Sequence, residues 1–246
     1  MKKIALSAIL LLLLCSASAC SKDDVVIVTK PVAVGKEITV GFEAGEHYKQ
    51  PVKIMKLITI KMPPQIAVWI EDPDGKYIDT LYVTEKAGTQ GWRGSKKIRR
   101  PESLPCWSHR RGVVYPDGLF MPTRENPLTD AVTAASPAGN FRLMTRVPKE
   151  ISRFVIMAEV NNPGDYNEAY PKTADEGSPN YSRGGVSGQP SIIWAATVDL
   201  SSGPGTWELK PAGHGSPDGS DGRLYPDLSG LTTAKDIIKK ITVTIK

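Results

Sequence analysis

The stretch Ile66-Ala67-Val68-Trp69-Ile70-Glu71-Asp72-Pro73-Asp74-Gly75-Lys76-Tyr77-Ile78-Asp79-Thr80-Leu81-Tyr82-Val83 decides the fold. Two runs rich in β-branched and aromatic residues flank Asp72-Pro73-Asp74-Gly75. Proline presets φ at the second turn position, and Asp-Gly accepts the positive φ that closes a ribbon. The stretch reads as a β-hairpin with strands over 66–70 and 77–83. Outward from it the same pattern repeats. Ile38, Val40 and Phe42 alternate at period two, and residues 54–62 read as one further strand with Ile54, Lys56, Ile58 and Ile60 on one face. More strands are predicted at 141–146, 154–160, 191–200, 207–210 and 241–245. In 191–200, Ile192, Trp194, Ala196 and Val198 alternate with Ile193, Ala195 and Thr197, so both faces are apolar and the strand is central. One helix is predicted, at 232–240, with Thr232 or Thr233 as cap and lysines at the end the helix dipole favours.

With 22 glycines, 20 prolines and no long helical period, many short strands imply an all-β chain. The expected architecture is an Ig-like β-sandwich of about 8 to 10 strands. It carries long loop insertions and one short C-terminal helix, in a single domain over residues 36–246. Residues 85–127, 161–190 and 211–229 are too long and polar for simple turns, and on a rigid sandwich such loops are where binding is built.

The N-terminus carries a different signal. Lys2 and Lys3 precede an apolar run over 4–14, and Ser16-Ala17-Ser18-Ala19 leads to Cys20. About 11 apolar residues are too few for a spanning helix, which needs roughly 20. A charged start, a short apolar core and a small-residue exit read as a cleavable signal. Cys15 follows Leu14, whereas Cys20 follows the small Ala19, so Cys20 is the expected lipidation site of a bacterial lipoprotein signal over 1–19. The alternative is an ordinary secretory signal cut near Ala19. Lipid chains on the Cys20 thiol and amine would hold the chain to a membrane, at about 0.8 kcal/mol per buried methylene. Ser21-Lys22-Asp23-Asp24 then begins a polar tether over 20–35. The expected location is the cell envelope, lipid-anchored, periplasm-facing or surface-exposed.

The formal charge of +5 falls to +3 once Lys2 and Lys3 leave, which is not a nucleic-acid footprint. The dense basic run (Arg93, Lys96, Lys97, Arg99, Arg100, Arg110, Arg111) reads as a solvated loop, with anionic headgroups or polysaccharide as the alternative. Cys106 has no partner once Cys15 and Cys20 are accounted for, so the mature domain forms no internal disulfide. Cys106 and His109 make a Cys-x-x-His, but two ligands are not a metal site, and a buried thiol beside packed Trp107 is the expectation.

The hairpin, together with Trp92-Arg93 and Asp130-Ala131-Val132-Thr133-Ala134-Ala135-Ser136-Pro137-Ala138-Gly139, resembles the predicted periplasmic family known as domain of unknown function 2271. Its members are similar to the Ig-like sandwich of flagellar hook-capping proteins. The resemblance covers about 54–160, reaching towards 200. It implies a periplasmic β-sandwich and brings no catalytic residues with it.

Three stretches carry candidate chemistry. Residues 130–136 resemble the Asp-x-x-(Ser/Thr)-Gly-Ala-(Ser/Thr) sequence that bears phosphoester-linked FMN, with Ser136 as acceptor. Ala134 stands where that sequence has glycine. The other reading is a loop entering the strand at Phe141. Asp218, Asp221 and Asp227 lie in a Gly-rich loop that could hold Ca²⁺, although EF-hand spacing is not met; Asp-Gly surface turns are the plainer reading. Residues 161–189 hold Asn162, Asp165, Tyr166, Asn167, Glu168, Tyr170, Tyr181, Arg183 and Gln189, which suit glycan or peptide recognition or an ordered loop on a sheet edge. His47, His109 and His214 are scattered, and no Gly-x-Ser-x-Gly elbow or P-loop occurs. The expected function is a membrane-anchored envelope lipoprotein, a non-enzymatic binding or accessory module for an envelope protein or glycan. The alternative is an accessory to envelope redox chemistry carrying flavin.

Overall fold

A computed structural model describes residues 25–55, 58–91, 98–128, 132–133, 136–183 and 187–246. Cys20, Trp92, Arg93, Lys96, Lys97, Asp130, Ala131, Ala134 and Ala135 lie outside the described residues.

The fold is all-β and sandwich-like. Its strands are β1 (Val25–Val28), β2 (Gly35–Ala44), β3 (Gln50–Met55), β4 (Ile58–Met62), β5 (Gln65–Glu71), β6 (Tyr77–Thr84), β7 (Val132–Thr133), β8 (Phe141–Pro148), β9 (Arg153–Asn161), β10 (Ile192–Asp199), β11 (Gly205–His214) and β12 (Ile238–Ile245). Ten of them form one curled sheet in the order β1-β8-β2-β12-β11-β10-β9-β5-β6-β7, while β3 and β4 pair only with each other. The long β11 turns the corner. Its first half pairs with β12 and its second half with β10, so one sheet supplies both layers.

The layers close over the larger of two apolar cores. Phe42 stacks on Phe141 with centroids 4.4 Å apart, and Tyr82 from the facing layer lies 6.1 Å from Phe141. Val40, Leu143, Val68, Ile70, Ile156 and Ile241 fill the space between. The edges nearly meet: Thr29, just past β1, donates its hydroxyl to Leu81 O at 2.8 Å.

The β5–β6 hairpin forms as its turn residues dictate, with Gly75 at φ 81° and Gly75 N donating to Asp72 O. Strand β10 lies between β9 and β11, as its two apolar faces require.

Three features differ from the sequence reading. The strand expected over 54–62 is a two-stranded ribbon, β3 against β4, because the chain reverses after Met55. The helix expected at 232–240 is a 3₁₀ turn at Thr233–Asp236 followed directly by β12. Finally, Val25–Val28, read as tether, pairs in parallel with β8, Val25 opposite Phe141. The sheet thus begins ahead of residue 36.

Candidate functional site

The outer face of β5, β6, β9 and β10 is not open to water. It carries a second core of Ala67, Trp69, Val83, Met157 and Ile193, roofed by Ala87, Leu104, Trp107 and Met121 from the long insertion after β6. Among its described residues that insertion holds two short α-helices, α1 (Glu85–Thr89) and α2 (Pro105–Arg110). The sheet here is buried on both sides, so the roof belongs to the fold.

A single carboxylate pins the roof. Alternation along β9 sends Phe154, Ile156, Ala158 and Val160 into the main core and turns Glu159 outward with Met157. Glu159 is wholly buried. Its Oε1 accepts from Ser191 Oγ at 2.6 Å and Cys106 N at 3.2 Å, and its Oε2 accepts from Trp107 N at 2.7 Å. It thereby satisfies the free N–H groups at the start of α2, as a capping acid does. Gly215 makes room for this contact: a Cβ there would lie 2.6 Å from Ser191 Oγ and 3.0 Å from Glu159 Oε1.

Around this node α2 is locked on every side. Trp107 Nε1 donates to Thr80 Oγ1 at 3.0 Å, and Arg111 lies over the Trp107 ring at 5.2 Å. Arg110 reaches the hairpin turn, donating to Gly75 O at 3.0 Å and lying 3.7 Å from the Glu71 carboxylate. Cys106 is buried as expected, its Sγ directed at Arg223 O and Gly222 O, and burial pushes the thiol up, far above neutral pH. His109 Nδ1 bonds Pro105 O at 2.9 Å and its ring stacks on Phe120. Cys106 and His109 therefore point to different partners. Of the basic run, Arg99 pairs with Asp117 and donates to Met121 O, and Arg110 and Arg111 are held as above, while Arg93, Lys96 and Lys97 lie outside the described residues.

A second buried acid, Glu102, lies in the same roof, with Ser187 Oγ 3.4 Å from its Oε1. Burial raises both carboxyls, Glu102 and Glu159, to about 7; donors from Ser187 and from Ser191, Trp107 and Cys106 oppose the rise without cancelling it. The folded protein therefore keeps protons that the unfolded chain, titrating near 4.5, has already released. The stability this contributes is complete below pH 4.5 and is lost as pH climbs through 7. Urea unfolding at pH 5 and pH 8 is expected to show the protein more stable at pH 5, by up to about 3 kcal/mol per carboxyl. Glu102→Gln is expected to remove roughly half of that difference. A flat profile, or one rising towards pH 8, contradicts it.

The other sequence candidates are spread apart. Asp218 accepts from Ser216 Oγ and Ser220 N, Asp221 from Arg223 N and Tyr225 OH, and Asp227 from Ser229 N. Each carboxylate closes its own turn. Among the described residues no three His, Cys, Asp or Glu side chains gather as a metal site would require. Ser136 is half-buried, next to Pro137, whose carbonyl accepts from Tyr48 OH at 3.0 Å. The segment ahead of it falls largely outside the described residues.

In 161–189 the amides serve the fold. Asn161 Nδ2 donates to Gln189 O, Asn162 Nδ2 to His47 O, and Gln189 to Thr233 Oγ1, while Asp165 accepts from Thr233 Oγ1 at 2.6 Å. Glu168 and Arg183 remain exposed, and Tyr166, Tyr170 and Tyr181 are half-buried. His214 is buried, its Nδ1 on Gly215 O at 2.7 Å and its ring stacked on Tyr225. Glu159 was missed in the sequence reading. Its signal was a lone acid in the apolar strand Phe154-Val155-Ile156-Met157-Ala158-Glu159-Val160.

A scan against protein-family models, a search of curated proteins and a search of solved structures each return no match.

Proposed function

We propose that this chain is a lipid-anchored lipoprotein of the bacterial cell envelope, working as a non-enzymatic binding or accessory module. The observation that carries the proposal is the N-terminal pattern: Lys2-Lys3, the apolar run over 4–14 and Ala19-Cys20. An anchor at that point suits the fold, because β1 (Val25–Val28) follows Cys20 within a few residues of chain. Several buried polar groups also suit a display module. Glu159, Gln189, Asp165 and Asn161 are spent on holding insertions to the sheet, which builds rigid loops for a partner to meet. Such a partner is an envelope protein or a glycan.

Fractionation of cells expressing the full chain tests the anchor. The wild-type protein is expected in the membrane fraction and to stay there through high-salt and carbonate washes. Cys20→Ala is expected to lose acylation and to accumulate as an unprocessed, slower-migrating form. Wild-type protein released by salt, or identical processing of the two forms, contradicts the proposal.

A further inference from the structure

We propose that the β3–β4 ribbon is a second membrane contact, a cationic and apolar arm that rests on an anionic lipid surface and fixes how the domain stands on its anchor. The inference rests on the lipid-anchor reading above and concerns a surface that reading does not touch.

The topology places the arm. Val25 lies opposite Phe141, and Phe141 lies opposite Phe42 near the end of β2. The chain leaves β2 at Ala44 and enters the ribbon at Gln50. The first described residue, Val25, and the root of the ribbon therefore share one end of the sandwich. Asn162, whose side chain bonds His47 O, marks the same end on the other layer. An extended chain gains about 3.5 Å per residue, so the stretch from Cys20 to Val25 holds that end within roughly 20 Å of the lipid. A ribbon with strands of 6 and 5 residues is itself about 17–20 Å long.

The chemistry of the arm fits that surface. From residue 47 to residue 70 the chain has no Asp or Glu, yet it carries Lys49, Lys53 and Lys61 among its lysines. In the ribbon register Val52 lies opposite Ile60 and Pro51 opposite Lys61, so Val52 and Ile60 share one face and Lys61 lies on the other. Ile58 and Ile60 are 43% and 40% exposed, although β-branched apolar residues in a sheet protein normally find a packing face. Among the described residues no third strand joins the ribbon, and a lone two-stranded ribbon is marginal in water. An interfacial lipid layer supplies what is missing: apolar depth for the face of Ile58 and Ile60, and anionic headgroups that the long lysine side chains reach around the ribbon's edge. Each lysine close to such a surface strengthens association about fivefold. Of the acids at the root, Glu43 is paired with Lys239, and Glu46 is exposed.

The test uses the full-length lipidated protein reconstituted into phosphatidylcholine vesicles with and without phosphatidylglycerol. A fluorophore is attached through Ile60→Cys or, as reference, Val114→Cys; buried Cys106 is spared under native conditions. Val114 follows α2, whose Arg110 bonds the β5–β6 turn at the other end of the sandwich. Quenching by nitroxide-bearing lipids is expected at position 60 and not at 114. It should strengthen with phosphatidylglycerol and weaken about fivefold for each charge removed in Lys49→Gln and Lys61→Gln. Equal, weak quenching at 60 and 114 in both vesicle types overturns the proposal. Intact mass of the same samples reports separately on Cys20. If Cys20 carries no lipid, the anchor reading fails; quenching at 60 on adding anionic vesicles then still supports the arm, and its absence overturns the arm as well.

Discussion

Alanine in place of Trp107 is expected to lower the unfolding free energy by about 3–5 kcal/mol, the cost of deleting a fully buried aromatic side chain. Trp107 is the centre of the roof over the outer face of β5, β6, β9 and β10. Its loss leaves a cavity above Trp69 and Met157, removes the hydrogen bond to Thr80 and strips Arg111 of its aromatic seat. In a domain of this size the melting temperature is expected to fall by about 10 °C. Tryptophan fluorescence during urea unfolding reads the change. A loss below about 1 kcal/mol would mean that the roof adds little to the fold, and that the sandwich holds through its inner core alone.

Glu159 gives the second large effect, and its two variants separate charge from shape. Glu159→Ala leaves the N–H groups of Cys106 and Trp107 and the Ser191 hydroxyl without their acceptor in a dry site, at an expected cost of about 3–5 kcal/mol. Glu159→Gln keeps the volume and one acceptor but turns an amide donor towards an N–H donor, for about 2–3 kcal/mol. The alanine variant should also expose the roof first. Amide hydrogen exchange in 98–121 is expected to accelerate while β2, β8 and β12 stay protected. Uniform acceleration in all of these segments would show that Glu159 does not act as the local pin.

Much of the sandwich was legible because its strands obey simple alternation. The Asp72-Pro73-Asp74-Gly75 turn and the two apolar faces of β10 each had one structural solution. The failures have physical causes. Ile237, Ile238 and Ile241 have helical spacing, but a β-bulge between Ile238 and Lys240 shifts the parity and buries Ile238 and Ile241 on a strand. Period-two alternation in 54–62 cannot show that the chain turns back, since both arms of a ribbon alternate alike. Pro105-Cys106-Trp107-Ser108-His109-Arg110 is too short to show a helical period, and the acid that caps it, Glu159, lies 52 residues further along the chain from Trp107. Within the basic run, sequence does not reveal that Asp117 and Gly75 come to meet Arg99 and Arg110.

The candidate site was the least legible part. Side chains that read as ligand donors, Asp218, Asp221, Asn162 and Gln189, prove to be partners of nearby backbone and hydroxyl groups. Local composition is the same for a turn that satisfies itself and a loop that awaits a ligand. Only the hydrogen-bond partners tell them apart.

The central claim is that the sandwich is held at a membrane through Cys20, and intact mass spectrometry of the protein extracted from its native envelope tests it most directly. The account predicts a chain beginning at Cys20, without residues 1–19, heavier than its unmodified sequence by the mass of its acyl chains, with the excess confined to the N-terminal peptide. A chain that begins at Cys20 with a free thiol, or one that retains Met1, would contradict it.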